Sequence, residues 1–305
     1  MQLLTPQHWV DYELLDCGNF EKLERFGQYI TIRPEPQAVW DKNLSAKEWE
    51  RMACVRFESR SSSSGDWKKL KPMPEQWKIS YKVQSSKLRT EGGSICFRLG
   101  LTSFKHVGVF PEQAVNWEYI YDAISTLKTI AQAVPDRGAE PVRFLNLFAY
   151  TGGASLAARA AGADVTHVDS IKQVVSWARE NMELSNLDNI RWVVEDALKF
   201  VKREEKRGNR YHGIILDPPA FGHGPSGEKW KLEDNINEMI KSVLNLLAEK
   251  HFLILNAYSL GFSSLIIENL LKGKAREHLQ TGELYLQAKS GNKLPLGVFG
   301  RFRNF

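Results

Sequence analysis

Two rhythms of apolar and polar residues divide the chain near position 103. Before it, short apolar runs at 28–33, 54–58, 77–83 and 95–101 alternate with turn material. Pro34, Pro36, Pro72, Pro74, the serine-rich 61–65 and the Gly92–Gly93 pair punctuate them, which predicts short strands. After it the period lengthens. Pro111 suits the first turn of a helix, where a missing N–H costs nothing. Trp117, Ile120, Ile124, Leu127, Ala131 and Val134 follow at three- and four-residue steps, the stripe of an amphipathic helix that 135–141 ends.

From there strands and helices alternate. Strands are expected at 142–148, 164–168, 191–194, 211–216 and 251–257, and a closing pair at 283–288 and 298–302. Helices are expected at 154–161, 171–184, 197–206, 232–247 and 263–271. This alternation predicts an α/β domain over 103–305, an open, largely parallel sheet with helices on both faces, preceded by a β-rich unit over 1–102. Such sheets bind ligands beyond the carboxyl ends of their strands.

Composition narrows the class. Of 305 residues, 25% are charged and 43% hydrophobic, which excludes gross disorder. No apolar run approaches the roughly 18–20 residues that span a bilayer, and the first 18 residues lack the layout of a secretory signal. Three scattered cysteines (Cys17, Cys54, Cys96) predict neither a disulfide framework nor a metal cluster, so a reduced cytoplasmic protein is expected. The net charge of +5 is uneven, because 60–98 carries nine basic residues against three acids, with Trp67 and Trp77 among them. That stretch reads as a nucleic-acid footprint or as the solvated surface of a small β unit.

Candidate chemistry gathers at the strand tips. The first strand of the alternating region runs into Gly152 and Gly153, where backbone can approach a ligand. A dinucleotide fold would place Gly-x-Gly-x-x-Gly here, so nicotinamide chemistry is a distant alternative. Asp169 ends the second strand, placed to accept from ribose hydroxyls or to cap the next helix. Asp196 follows the third, with adenine or cap roles open to it. The fourth ends in Asp217-Pro-Pro-Ala-Phe221. Two prolines stiffen the backbone and leave the carbonyls of Asp217 and Pro218 available to an amino group, and Phe221 is placed to stack on a planar base. The glycine-containing loop 221–230 suits a mobile lid carrying His223, Lys229 and Trp230, or is an ordinary flexible loop. His167, His212 and His251 have structural positions in or beside strands.

Together these motifs resemble class I S-adenosylmethionine-dependent methyltransferases, and more narrowly the group related to bacterial large-subunit ribosomal RNA methyltransferases of the cytosine-C5 and guanine-N7 types. The resemblance runs from about residue 104 to the C-terminus, through the stretches 104–113, 146–153, 168–169, 195–200, 217–222 and 256–259; 15–19 and 33–37 resemble members with a short β domain before the core. It implies a Rossmann-like sheet and S-adenosyl-L-methionine as cofactor. Phe104, Gly108, Phe110 and Gln113 would lie near the methionine end, and Phe148, Tyr150 and Gly152 would line the cleft. Asp169 would hold the ribose and Asp196 the adenine, while Asp217, Pro218 and Phe221 would face the substrate.

Two departures bear on the acceptor. Relatives often carry lysine where this chain has Ala220. Cytosine-C5 enzymes need an attacking thiolate, which relatives place after the fifth strand, but 255–260 holds no cysteine and Ser259 is a poor substitute. A base nitrogen in RNA, ribosomal RNA favoured, is therefore the expected acceptor, with no metal and no membrane. The alternatives are a protein or small-molecule methyltransferase, and a non-catalytic RNA-binding protein that keeps the fold.

Overall fold

The structure is a computed structural model that describes residues 1–61, 64–84, 91–133, 140–258, 261–273 and 278–305. Val134, Ser259 and two of the basic residues noted above, Lys87 and Arg89, lie outside the described residues.

The chain begins with β1 (Gln2–Leu4), then builds a five-stranded sheet from β2 (Tyr12–Gly18), β3 (Glu21–Phe26), β4 (Tyr29–Pro34), β5 (Val55–Ser59) and β6 (Gly65–Lys69). Its pairs are antiparallel except β4–β5, which α1 (Ala46–Met52) bridges as a parallel crossover. A long hairpin follows, β7 (Gln76–Gln84) with β8 (Glu91–Gly100). The hairpin packs on the helices of the second half rather than extending the small sheet, and Trp9, Tyr81, Phe97 and Trp117 form one aromatic cluster there.

After a single 3₁₀ turn at Pro111–Gln113 comes α2 (Ala114–Gln132), which buries Trp117, Ile120, Ile124 and Leu127 as its stripe predicts. The alternating region is β9 (Arg143–Leu147), α3 (Gly153–Ala160), β10 (Asp164–Asp169), α4 (Lys172–Leu184), β11 (Ile190–Val194), α5 (Ala197–Lys206) and β12 (Tyr211–Leu216). A small hairpin, β13 (Phe221–His223) with β14 (Lys229–Lys231), precedes α6 (Leu232–Asn245), β15 (Leu247–Ala257), α7 (Ser264–Leu271), β16 (Gln280–Gln287) and β17 (Lys293–Arg303). The order across the large sheet is β1-β16-β17-β15-β12-β9-β10-β11, and β17 alone runs against its neighbours.

Strand alternation sends adjacent residues to opposite faces. Phe144 joins the core under α2 and α3, while Leu145 joins the core under α5, α6 and α7. From β9 the chain winds outward through β10 and β11, then returns to place β12 on the other side of β9. That reversal opens a crevice at the carboxyl ends of β9 and β12. The two sheets are joined through backbone: Lys289 and Ser290, in the β16–β17 turn, donate to the carbonyls of Leu14 and Leu15 on β2.

Candidate active site

The crevice is a cleft of about 950 Å³. Phe110, Phe148, Tyr150, Asp169, Asp196, Asp217, Pro218 and Phe221 all line it, so the structure gathers these sequence-predicted residues in one place. They come from the residue before the 3₁₀ turn, the ends of β9, β10, β11 and β12, and the start of β13.

The turn after β9 is shaped by positive φ at Phe148 (57°), Tyr150 (48°) and Gly152 (94°). Asp169 organises that turn from the neighbouring strand. Its Oδ2 accepts from the Tyr150 N–H at 2.9 Å, and its Oδ1 accepts from the Ile171 N–H at 3.0 Å. Burial pushes its carboxyl above the usual range, and the backbone donors oppose that shift. Each oxygen keeps acceptor capacity toward the cleft, which suits paired hydroxyls. Asp196 caps α5, its Oδ1 accepting from the Lys199 N–H at 2.9 Å.

Asp217 is the most unusual group. Burial, reinforced by the Glu112 carboxyl nearby, pushes its pKa up to about 8. Its Oδ1 is buried and has no hydrogen-bond partner among the described residues. Its Oδ2 accepts from Gln113 Nε2 at 3.2 Å, and the same Nε2 donates to the Tyr258 hydroxyl at 2.5 Å. Tyr258 in turn hydrogen-bonds Glu112, another buried carboxyl raised by burial. The amide orientation of Gln113 follows from the network, because its Oε1 faces the amide donors of Asn116 at 2.9 Å and Asn256 at 3.3 Å. Gln113, expected near the methionine end, does not line the cleft; it is buried behind the wall and holds Asp217.

Three expectations need correction. Phe104 is half-exposed and outside the cleft, because its turn folds outward, its carbonyl accepting from Thr102 Oγ1. Gly108 and Gly152 do not line the cleft, and both pack against α4. A Cβ on Gly108 would sit 2.3 Å from the Trp177 ring, and one on Gly152 would sit 3.2 Å from Ala178 Cβ. The loop 221–230 is a hairpin, and Trp230 is its anchor: buried, 4.8 Å from the Phe148 ring, with its indole N–H on the Pro219 carbonyl. Phe221 and His223 remain exposed on the cleft margin, and Lys229 is exposed beside it, facing a neighbouring groove.

Sequence reading missed a whole wall. Lys22, Arg33, Pro34, Glu35 and Gln37 of the small sheet, with Lys105 and His106, face the same cleft. Burial and the neighbouring cations lower the His106 pKa to about 3, so its imidazole is neutral. The proline-flanked 33–37 segment was the available signal, since two prolines so placed make a rigid span rather than a loose linker.

The acidic tips of β10 and β11 fit a ribose and an adenine amine. The unpartnered Asp217 Oδ1 fits a hydrogen-bond donor arriving from outside the protein. Phe110, Tyr150 and Phe148 supply an aromatic lining between the two ends. No described helix is long and apolar enough to cross a membrane.

The family model described as conserved hypothetical protein 95 matches residues 125–282. The crystal structure of an S-adenosylmethionine-dependent methyltransferase from Agrobacterium tumefaciens is 37% identical, with a TM-score of 0.86. The match covers 99% of this chain and 93% of that one. A Streptococcus mutans protein assigned to the same class is 17% identical with a TM-score of 0.68, covering 98% of this chain and 76% of that one, a likeness of fold alone. Among curated proteins, the ribosomal RNA large subunit methyltransferase K/L of Shewanella frigidimarina is 30% identical over 169 residues, 54% of this chain and 21% of its own length. The chain spans about a fifth of the length of the curated relatives it matches.

Proposed function

This chain belongs to the conserved hypothetical protein 95 family and to the S-adenosylmethionine-dependent methyltransferases, and on that premise we propose that it methylates a base nitrogen in RNA, with ribosomal RNA as the substrate. The observation that carries the acceptor assignment is Asp217: a buried carboxyl with one oxygen unpartnered, at the end of β12, beside a proline carbonyl. The names of the curated relatives support ribosomal RNA.

When bound, S-adenosyl-L-methionine supplies an already activated methyl group. Asp169 would hold its ribose and Asp196 its adenine amine, and the Phe110, Phe148 and Tyr150 rings would exclude water between them. An acceptor amine donates to Asp217 Oδ1 and to the Pro218 carbonyl, which fixes the direction of its lone pair. Gln113 keeps Asp217 in place. Once the nitrogen has gained its methyl group, Asp217 in its ionised form takes the proton it releases; the raised pKa makes that form a stronger base and a smaller fraction of the enzyme near neutral pH. A base reaching this site from folded RNA leaves its stack, and Phe221 at the margin offers a ring to receive it. All three cysteines lie away from the cleft, which favours nitrogen over cytosine C5.

The test uses S-adenosylmethionine with a labelled methyl group and total RNA from cells lacking the protein, beside protein and metabolite fractions. Label in RNA, lost in Asp217→Ala and found on a base nitrogen after nucleoside digestion, is the expected result. Label only in protein or small molecules moves the acceptor to those classes. RNA retention without label in any fraction leaves a binding protein that has kept the fold.

A further inference from the structure

The wall that the small sheet lends to the cleft is strongly charged, and its ion pairs do not balance. Arg33 is buried and fully engaged: Nε and Nη2 meet Glu24 Oε2 at 2.8 and 2.6 Å, and Nη1 donates to the Lys105 carbonyl at 3.1 Å. Lys22 pairs with Glu35 at 3.2 Å and with Glu24 at 3.8 Å. Two cations thus meet two carboxylates. Lys105 stands outside this arrangement. Its side chain lines the cleft half-buried, and no carboxylate lies within ion-pair reach of it among the described residues.

An ammonium in that position is poorly solvated and has no direct ion pair among the described residues, with Glu35, itself paired to Lys22, as its main charged neighbour. Burial lowers the Lys105 pKa; among the neighbouring charges Glu35 acts most strongly and opposes that shift, while Lys22 and Arg33 reinforce it and Glu24 opposes it more weakly. The neighbouring imidazole of His106 is neutral and offers no competing charge. An anion entering the cleft would relieve the imbalance.

The site's geometry says which anion. The roof segment reaches from Arg33 to Gln37, whose Nε2 donates to the Leu296 carbonyl on β17. It therefore runs from the neighbourhood of Tyr150 at its Arg33 end to the β17 side of the cleft at its Gln37 end. The half away from β17 carries the carboxylates of Asp169, Glu195 and Asp196, and the cofactor's sulfonium and ammonium together outweigh its one carboxylate. We infer that Lys105 forms a phosphate subsite for the nucleotide being methylated, held over the acceptor half of the cleft by the Arg33–Glu24 pair. This rests on the RNA reading above and deepens it. The small sheet becomes part of the substrate site, and the unit recognised is a base together with its own phosphate.

The experiment measures binding to the protein saturated with S-adenosylhomocysteine, so it does not depend on turnover. The four ribonucleosides and their 5′- and 3′-monophosphates are titrated by calorimetry into wild type, Lys105→Gln and Lys105→Arg. At least one monophosphate should bind wild type roughly tenfold more tightly than its nucleoside. Lys105→Gln should lose that preference while keeping S-adenosylhomocysteine affinity within about twofold, and Lys105→Arg should restore most of it. Equal binding of nucleoside and monophosphate by wild type, or no detectable binding of either, overturns the subsite. So does a glutamine variant that loses cofactor affinity yet keeps the phosphate preference, which would assign Lys105 to the cofactor's carboxylate. The RNA-labelling assay separates the two ideas. A wild type that labels RNA, with KM for that RNA unchanged in Lys105→Gln, removes the subsite and leaves the function. A wild type that labels no RNA removes the function, and the mononucleotide titration still decides the subsite.

Discussion

Asp217 shows how one residue links stability to chemistry. Its carboxyl titrates near 8 in the folded protein and near 3.8 as an ordinary Asp, so the fold favours its neutral form. Well below pH 3.8 this group is protonated in folded and unfolded chains alike and its native environment is fully accommodated. As pH rises from about 4 to about 8, the unfolded chain gains from ionising a group that the native state keeps neutral, and stability is lost. Asp217→Asn removes that titration. The melting temperature of wild type should fall relative to the variant across this window, and curves that stay parallel from pH 4 to 8 would refute the assignment. Asp169→Ala removes acceptors that serve both the β9 turn and a ribose. It should weaken S-adenosylhomocysteine binding by about 1.5–3 kcal/mol, measured by calorimetry. Both acids were legible in the sequence because each closes an apolar strand run. Glu112 was not: it sits in a 3₁₀ turn before α2, 105 positions from Asp217, and only the folded chain brings the two carboxyls together.

Among the elements, the alternating region was read almost residue for residue, since buried parallel strands are continuous apolar runs and its helices have clear stripes. The small sheet was half legible. β2 and β3 carry Asp16 and Glu24, charges that argue against buried strands, yet both are buried here. Asp16 is satisfied by Leu44 N–H, the Trp49 indole and Ser290 Oγ, partners 28 to 274 residues away that no local pattern reveals. The packing of Gly108 and Gly152 against α4 was hidden for a related reason, because helix packing also demands glycine. Gly108 has φ of 109° and its Cβ position is filled by Trp177. Gly108→Ala should therefore destabilise the protein by about 2 kcal/mol or more in urea unfolding. Trp177→Ala should recover only part of that, since the backbone strain stays.

For the whole molecule, the basic stretch is less of a nucleic-acid footprint than its charge suggests. Arg60 pairs with Asp66, Lys68 with Glu58, Lys69 with Glu75 and Arg98 with Glu180. The charged wall of the cleft is the better candidate for contact with RNA. That wall comes from the small sheet and, through Lys105 and His106, from the segment after β8, while the cofactor half belongs to the large sheet, so a bound cofactor and nucleotide together tie the two. S-adenosylhomocysteine at about one hundred times its Kd should add about 2.7 kcal/mol of stability. Adding the matching monophosphate should then slow amide exchange in β3 and β4, a change the cofactor alone should produce more weakly.

The bond between Gln37 and Leu296 also sets a timetable. Its partners stand 259 positions apart, and Asp16 likewise waits for Ser290. During synthesis the N-terminal strands emerge first, with a buried acid lacking one of its donors and a roof lacking its far support. At roughly 5–20 residues per second, more than ten seconds pass before β17 is made. Until then the growing polypeptide has no closed cleft, and a released fragment that stops short of β17 would be an exposed, adhesive intermediate rather than a weakened enzyme.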